Sequence, residues 1–369
     1  MIRSSRLVLP AALAASVVAL AGCSSSSDAG ASGDGTLQIV ATTTQMGDVV
    51  REIVGDDAEV TQLLQPGQSA HSYDPTPEAL TALANADVLV INGAGLEEWL
   101  DDTIEASGFD GELVDASADV HLHEGGEHDH GHEGEGDEAH ADEAHADEAH
   151  AEEAAEPAAS EHADEAHADE GHDDHDHGGS DPHVWSDPHQ VVHMAETIGG
   201  GIAAAATTEQ AEAFEAATAD YVAQLEELDA WVHGSIEQVP AEQRLLVTNH
   251  DTFSYLAEAT GMTVVGSVMP AFDDNAEPSA ADIDALVQAI RDSGVRAVFS
   301  ETSIDPQIAE TIASEAGVEV YSGEDALYAD SLGAEGTPGE TYVGSVVHNV
   351  TLIVESWGAE PLPVPDSLA

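Results

Sequence analysis

Between Glu124 and Ser180 the chain carries no aliphatic side chain larger than alanine, so this stretch cannot build a core. Any fold must be assembled from what flanks it. Residues 121–180 hold 22 Asp or Glu, 13 of the 20 histidines, and no Lys or Arg. The repeat DEAHA runs three times over residues 137–151 and once more over 164–168. At about 100° per residue, a five-residue period turns successive histidines by roughly 140°, so a helix would scatter the imidazoles around its axis. The segment is expected to be a disordered acidic insertion in the absence of metal.

With 74 acidic and six basic residues, the formal charge is -68. Lysine is absent and the arginines (3, 6, 51, 244, 291 and 296) are scattered, so neither nucleic acid nor a polybasic membrane contact is expected. The chain is 42% hydrophobic, enough for aliphatic cores in the roughly 275 residues outside the insertion and the N-terminal leader. That leader (residues 1–22) has Arg3 and Arg6 before an apolar run too short to span a membrane, and closes on Leu20-Ala21-Gly22-Cys23. The lipobox pattern resembles bacterial lipoproteins and implies a diacylglycerol anchor on Cys23, the chain's single cysteine, on the outer face of the cell membrane. Residues 23–36, rich in Ser and Gly, form the expected tether.

From residue 37 onward, strand and helix patterns alternate. Strands are expected over 37–42, 58–64 and 87–92, with helices over 46–54 and 77–86. A single helical pattern runs over 207–238, about 45 Å if fully helical. Alternation then resumes, with strands over 244–248, 263–268, 297–300 and 318–322 and helices over 252–259, 280–292 and 305–315. The expected fold is α/β: a first lobe over 37–206 carrying the insertion, a rigid linker helix over 207–238, and a second lobe over 239–369, with a cleft between lobes. In open α/β sheets ligands sit beyond the carboxyl ends of strands. Four candidates occupy such loops: His71, in a stretch with three prolines; His183, in Asp181-Pro182-His183; His250, directly after a strand; and Asp330. Singly, each histidine reads as a solvated side chain and Asp330 as a helix cap. Together, three imidazoles and a carboxylate suit tetrahedral Zn²⁺, whereas an octahedral Mn²⁺ site favours a second carboxylate.

The sequence resembles the zinc-specific solute-binding proteins (ZnuA-type) of bacterial ABC importers. The likeness is carried by TTTQMGD (42–48), the His71 loop, NGAGLE (92–97) with Trp99, DPHVWSDP (181–188), the His250 loop, EPS (277–279), FSE (299–301) and the Asp330 loop. It implies His71 and His183 as ligands from the first lobe, and His250 and Asp330 from the second. It also implies Zn²⁺ as cargo, a permease partner and a monomer. Manganese-type relatives carry Glu where His250 stands. Two departures are Gln-Ser-Ala before His71 and Ser186 in place of a common Leu; neither removes a ligand. The resemblance makes Glu301 a buried loop-organising residue and the rival acid ligand. His189, His193, His233 and His348 read as surface or packed histidines, with His189 also open to a supporting role beside His183.

The thirteen histidines of the insertion (His121, His123, His128, His130, His132, His140, His145, His150, His162, His167, His172, His175 and His177) are expected to collect metal weakly and release it beside His183. A zinc hydrolase is disfavoured, because four protein ligands leave no open position for water and no H-E-x-x-H motif occurs. A manganese or iron importer, and an extracellular zinc buffer or adhesin, are the alternatives within the same architecture.

Overall fold

The computed structural model describes residues 36–123, 180–269 and 278–369. The leader, Cys23, nearly all of the tether, and residues 124–179 with eleven of the thirteen insertion histidines lie outside them. Only His121 and His123 of that set are described. Residues Leu37–Ala369 form one compact unit.

The first lobe runs β1 (Leu37–Ala41), α1 (Thr44–Val54), β2 (Ala58–Gln62), α2 (Pro77–Leu83), β3 (Val88–Ile91), α3 (Leu100–Ser107), β4 (Glu112–Asp115) and α4 (Pro188–Ala205). Its sheet is parallel, in the order β2-β1-β3-β4. β3 is buried at every position, as a strand covered by helices on both faces must be. Helix starts follow their sequence signals. Asp187 caps α4 ahead of Pro188, and Thr76 caps α2 ahead of Pro77.

α5 (Thr208–Ile236) is the expected long helix, 29 residues opened by a capping box between Thr207 and Gln210. Phe214, Thr218, Tyr221, Leu225, Leu228 and Val232 are buried along one stripe. That stripe packs along α4 and α1. Gly199 makes the approach possible, since a Cβ there would overlap the Thr218 side chain on α5.

The second lobe runs β5 (Leu245–Thr248), α6 (Ser254–Thr260), β6 (Thr263–Ser267), α7 (Ala280–Ser293), β7 (Ala297–Phe299), α8 (Gln307–Ala316) and β8 (Glu319–Tyr321). β5 pairs in parallel with β6, and β7 with β8; β5 also lies against β7, so the spatial order repeats that of the first lobe. Val247, Val298, Leu286, Ile290 and Ile312 form its own core. The final helix α9 (Tyr342–Ser356) packs back on α5 and α1. Among the described residues, no helix is long and apolar enough to cross a membrane.

Candidate metal centre

Each candidate side chain sits where a strand ends. His71 follows β2 on a loop held by backbone and ring contacts. Ser69 Oγ accepts the His71 N–H at 3.2 Å, and Trp99 Nε1 donates to the Ala70 carbonyl at 3.0 Å. His183 follows β4 by way of the insertion. Asn92 Nδ2 donates to the Pro182 carbonyl at 3.0 Å, and Asn92 itself is oriented by Glu97, which accepts the Asn92 N–H (2.8 Å) and the Thr42 hydroxyl (2.6 Å). Burial pushes the Glu97 carboxyl upward against those hydrogen bonds. Gly93, with φ +81, lies so close to Asp115 and Ser117 that a Cβ would overlap both, so the turn after β3 requires glycine.

His250 follows β5, and Asp330 follows β8 on a loop clamped from several directions. Gln45 Nε2 and Trp185 Nε1 both donate to the Ala329 carbonyl at 3.0 Å, and the Leu332 N–H reaches Thr44 Oγ1 at 2.8 Å. From α9, Asn349 bonds both the N–H and the carbonyl of Tyr328. All these partners except Asn349 come from the first lobe.

The structure brings all four candidates together. One ligand atom from each of His71, His183, His250 and Asp330 lies within 4.8 Å of all the others. His71 Nε2 is 3.2 Å from His183 Nε2, and His250 Nε2 is 3.1 Å from Asp330 Oδ1. Between the pairs, His183 Nε2 lies 3.7 Å from Asp330 Oδ1, and His71 Nε2 lies 3.8 Å from Asp330 Oδ2. Ligands about 2.0–2.1 Å from a tetrahedral ion stand about 3.3 Å apart, so the four atoms nearly outline a coordination shell. His183, His250 and Asp330 are buried, while His71 retains 11% side-chain exposure and forms the edge that faces water.

Two carboxylates stand behind the imidazoles. Asp181 Oδ1 is 2.7 Å from His183 Nδ1, and its other oxygen is bonded by the Ser254 hydroxyl. Glu301 Oε2 is 2.7 Å from His250 Nδ1, and its Oε1 accepts the His250 backbone N–H at 3.0 Å. A carboxylate at Nδ1 keeps the proton there and turns the Nε2 lone pair toward the shared centre. Glu301 thus faces the far side of the ring from that centre and organises the His250 loop. Asp181 was readable only as part of a motif; its position two residues before His183 is the signal that points to its role.

Electrostatics follow from this packing. Burial works to raise the Asp330 carboxyl, but His250, His183 and His71 outweigh it and hold it well below the usual carboxylate range. Burial works to lower the His250 imidazole, and Glu301 with Asp330 overcomes it, leaving the ring well above its ordinary value. For Asp181, burial is outweighed by the hydrogen bond and charge of His183, and its carboxyl is lowered.

The remaining described histidines lie elsewhere. His348 donates toward the Ala326 carbonyl at 3.0 Å, and burial lowers its imidazole. His233 pairs with Asp229 and Glu237 on α5, His193 with Glu196 on α4, and His189 is exposed beside His193. The insertion leaves the fold beside the centre. His123 stacks on Tyr255 with ring centroids 3.8 Å apart and pairs with Glu258 at 3.1 Å, and the Asp181 N–H bonds the His123 carbonyl at 3.2 Å. Both ends of the 124–179 segment therefore meet two residues from His183. His121 contacts His123 ring to edge.

Residues 39–356 match the sequence pattern of the family described as ZnuA, zinc-uptake complex component A, periplasmic. The manganese-binding lipoprotein MntA of Halalkalibacterium halodurans is 29% identical over 341 residues, 92% of this chain and 95% of the relative. The iron ABC transporter substrate-binding lipoprotein MtsA of Streptococcus pyogenes is 25% identical, covering 92% of this chain and 94% of its own length. Among solved structures, the periplasmic zinc-binding protein TroA of Treponema pallidum superposes with a TM-score of 0.67 at 23% identity, across 88% of this chain and 99% of that one, a likeness of fold.

Proposed function

Because this chain belongs to the family of periplasmic component A of zinc-uptake complexes, we propose that it captures a divalent transition-metal cation outside the cytoplasm and delivers it to the permease of an ABC importer. The observation that carries this reading is the convergence of His71, His183, His250 and Asp330 from two lobes on one point. His71 and His183 bind from the first lobe (37–206), His250 and Asp330 from the second (239–369), with Cys23 tethering the protein to the membrane. Four protein donors complete a tetrahedral shell and leave no coordination position for an activated water, which fits carriage of an ion rather than chemistry on a substrate.

The donor set, three nitrogens and one oxygen, favours zinc as cargo. Manganese or iron is the second reading, and the names of the similar lipoproteins MntA and MtsA favour it over zinc. Expecting zinc from His250 alone sets that single position against the weight of these relatives. Isothermal titration of the mature protein with Zn²⁺, Mn²⁺ and Fe²⁺ decides between them. Nitrogen and oxygen donors bind Zn²⁺ more tightly than Mn²⁺ in general, so the first reading is supported by the absence of measurable Mn²⁺ and Fe²⁺ binding and overturned by tight binding of either. Growth of a deletion strain under metal chelation separates import from extracellular buffering: unimpaired growth argues against import. The insertion is proposed to act as a weak metal collector; removal of residues 124–179 with no change in bound-metal stoichiometry would sink that role.

A further inference from the structure

On α4, a second pair of imidazoles has the geometry of a metal site. His189 and His193 are four residues apart, the spacing that places two side chains one above the other on a helix face and that helical metal sites use for paired histidines. Their ring centroids lie 5.2 Å apart at 84°. The ring pairs that meet at the cleft centre, His71 with His183 and His183 with His250, are 5.3 and 5.2 Å apart. The two rings of α4 are thus neighbours on one helix face, close enough for a side-chain rotation to bring one nitrogen of each to a shared ion.

Four further features fit. Both rings are accessible: His189 is exposed and the His193 side chain is 41% exposed. Glu196 Oε2 lies 3.6 Å from His193 Nδ1, an ion-pair distance that places a carboxylate beside the ring without a hydrogen bond to it. The charge nearby is mostly negative. Asp187 at the helix cap lies close enough to interact electrostatically with both Asp229 and His189, and on α5 His233 lies 3.6 Å from Asp229 and 3.7 Å from Glu237. The first turn is held in place, since Asp187 Oδ1 accepts the His189 N–H at 3.1 Å and Pro188 opens the helix.

We infer that His189 and His193 form a second, two-imidazole site for a divalent transition-metal cation on the exposed face of α4, outside the cleft. With water filling the other positions, it binds more weakly and exchanges faster than the four-ligand centre. It begins six residues beyond His183, and it stands whichever cargo the cleft carries.

The test is imidazole nitrogen NMR on the full mature chain at pH 7.5. Zn²⁺ alone is the probe, its free concentration set by a chelator buffer so that the insertion does not deplete it. Ring signals are assigned from His189→Gln and His193→Gln, and a melting curve of each variant checks folding. After the cleft is saturated, the two rings are expected to shift together with one midpoint. Because paired ligands on one helix act at high effective concentration, removing either ring raises the midpoint of the other roughly a hundred-fold. Separate midpoints, an unchanged His193 midpoint in His189→Gln, or no shift at either ring at millimolar zinc overturns the site. The first-equivalent signal of the cleft reports independently on the transport reading.

Discussion

In the first lobe the candidate pair follows the two outer strands, β2 and β4, and consists of two imidazoles; in the second it follows β5, paired with β6, and β8, paired with β7, and joins an imidazole to a carboxylate. Each lobe places its own pair at the edge length of a coordination tetrahedron, 3.2 Å in one and 3.1 Å in the other. Across the lobes the spacings are 3.7 and 3.8 Å. Within each lobe the pair already stands at the spacing of a coordination edge, and the spacings across the lobes are wider. Each lobe also supplies one carboxylate brace, Asp181 or Glu301. The two halves differ in charge: only the second brings an anion into the shell.

Removing a ligand tests that division most severely. His250→Ala leaves Asp330 alone in its lobe and is expected to weaken tight-site binding by more than the roughly 100-fold reserved for the braces, while weak binding by the insertion persists. Isothermal titration of the variant measures both; tight affinity near that of the parent would remove His250 from the ligand set.

Acid is expected to act next in size. The ring of His250 must shed its proton to bind, and its imidazole is held well above the ordinary value by Glu301 and Asp330 against burial. A raised imidazole favours the proton-bound, metal-free protein. Its stabilising contribution is complete below the unfolded value of about 6.5 and fades as pH rises through the higher folded value. As pH is lowered, metal affinity should therefore begin to fall while the pH is still above 6.5, by about tenfold per pH unit per proton. Binding measured from pH 8 to 5.5 checks this, and Glu301→Gln should move the onset lower. A flat profile contradicts the assignment.

Comparing braces sharpens the symmetry. Asp181→Asn and Glu301→Gln should each cost roughly 10- to 100-fold in affinity without changing the number of tight sites. If only one does so, the lobes are not equivalently braced.

The smallest expected effect lies at Asp48, where α1 receives the Tyr342 N–H of α9 at 2.7 Å. Burial outweighs that hydrogen bond and pushes the Asp48 carboxyl up to about 6. With the folded value raised above the unfolded one, stability from this group is full below about pH 4 and is lost as pH rises through about 6. Asp48→Asn should flatten that window. Relative to the variant, the parent should lose about 1–2 kcal/mol between pH 4 and 7 in urea midpoints, and parallel curves would remove Asp48 from the coupling.

Much of the architecture was legible because its signals are local. The 29-residue α5 carries a capping box and an unbroken apolar stripe, and β1, β2 and β3 are short β-branched runs between turn residues. Four elements escaped notice. Helix α4 contains Gly199-Gly200-Gly201, which looks like a helix breaker, yet the space left at Gly199 and Gly201 admits Thr218 and Val114. Rich in valine, α9 has the propensity of a strand, and packing on α5 and α1 overrides it. β4 buries only Val114 of its four residues and α3 starts without a side-chain cap, so neither carries a clear local signal. The four candidate ligands stood out only as a pattern of polar residues after strands, since a histidine in a loop says little about its neighbours.

From the sequence alone came the alternation of strand and helix, the long helix, and the exclusion of the acidic insertion from any core. Those are consequences of side-chain volume, hydropathy and backbone preference, which act over a few residues. Tertiary structure alone decided that four side chains up to 259 positions apart, His71 to Asp330, share one centre, and that Glu301 stands behind His250. Those facts depend on how two sheets are placed against one another, and that placement is set by packing summed over both lobes.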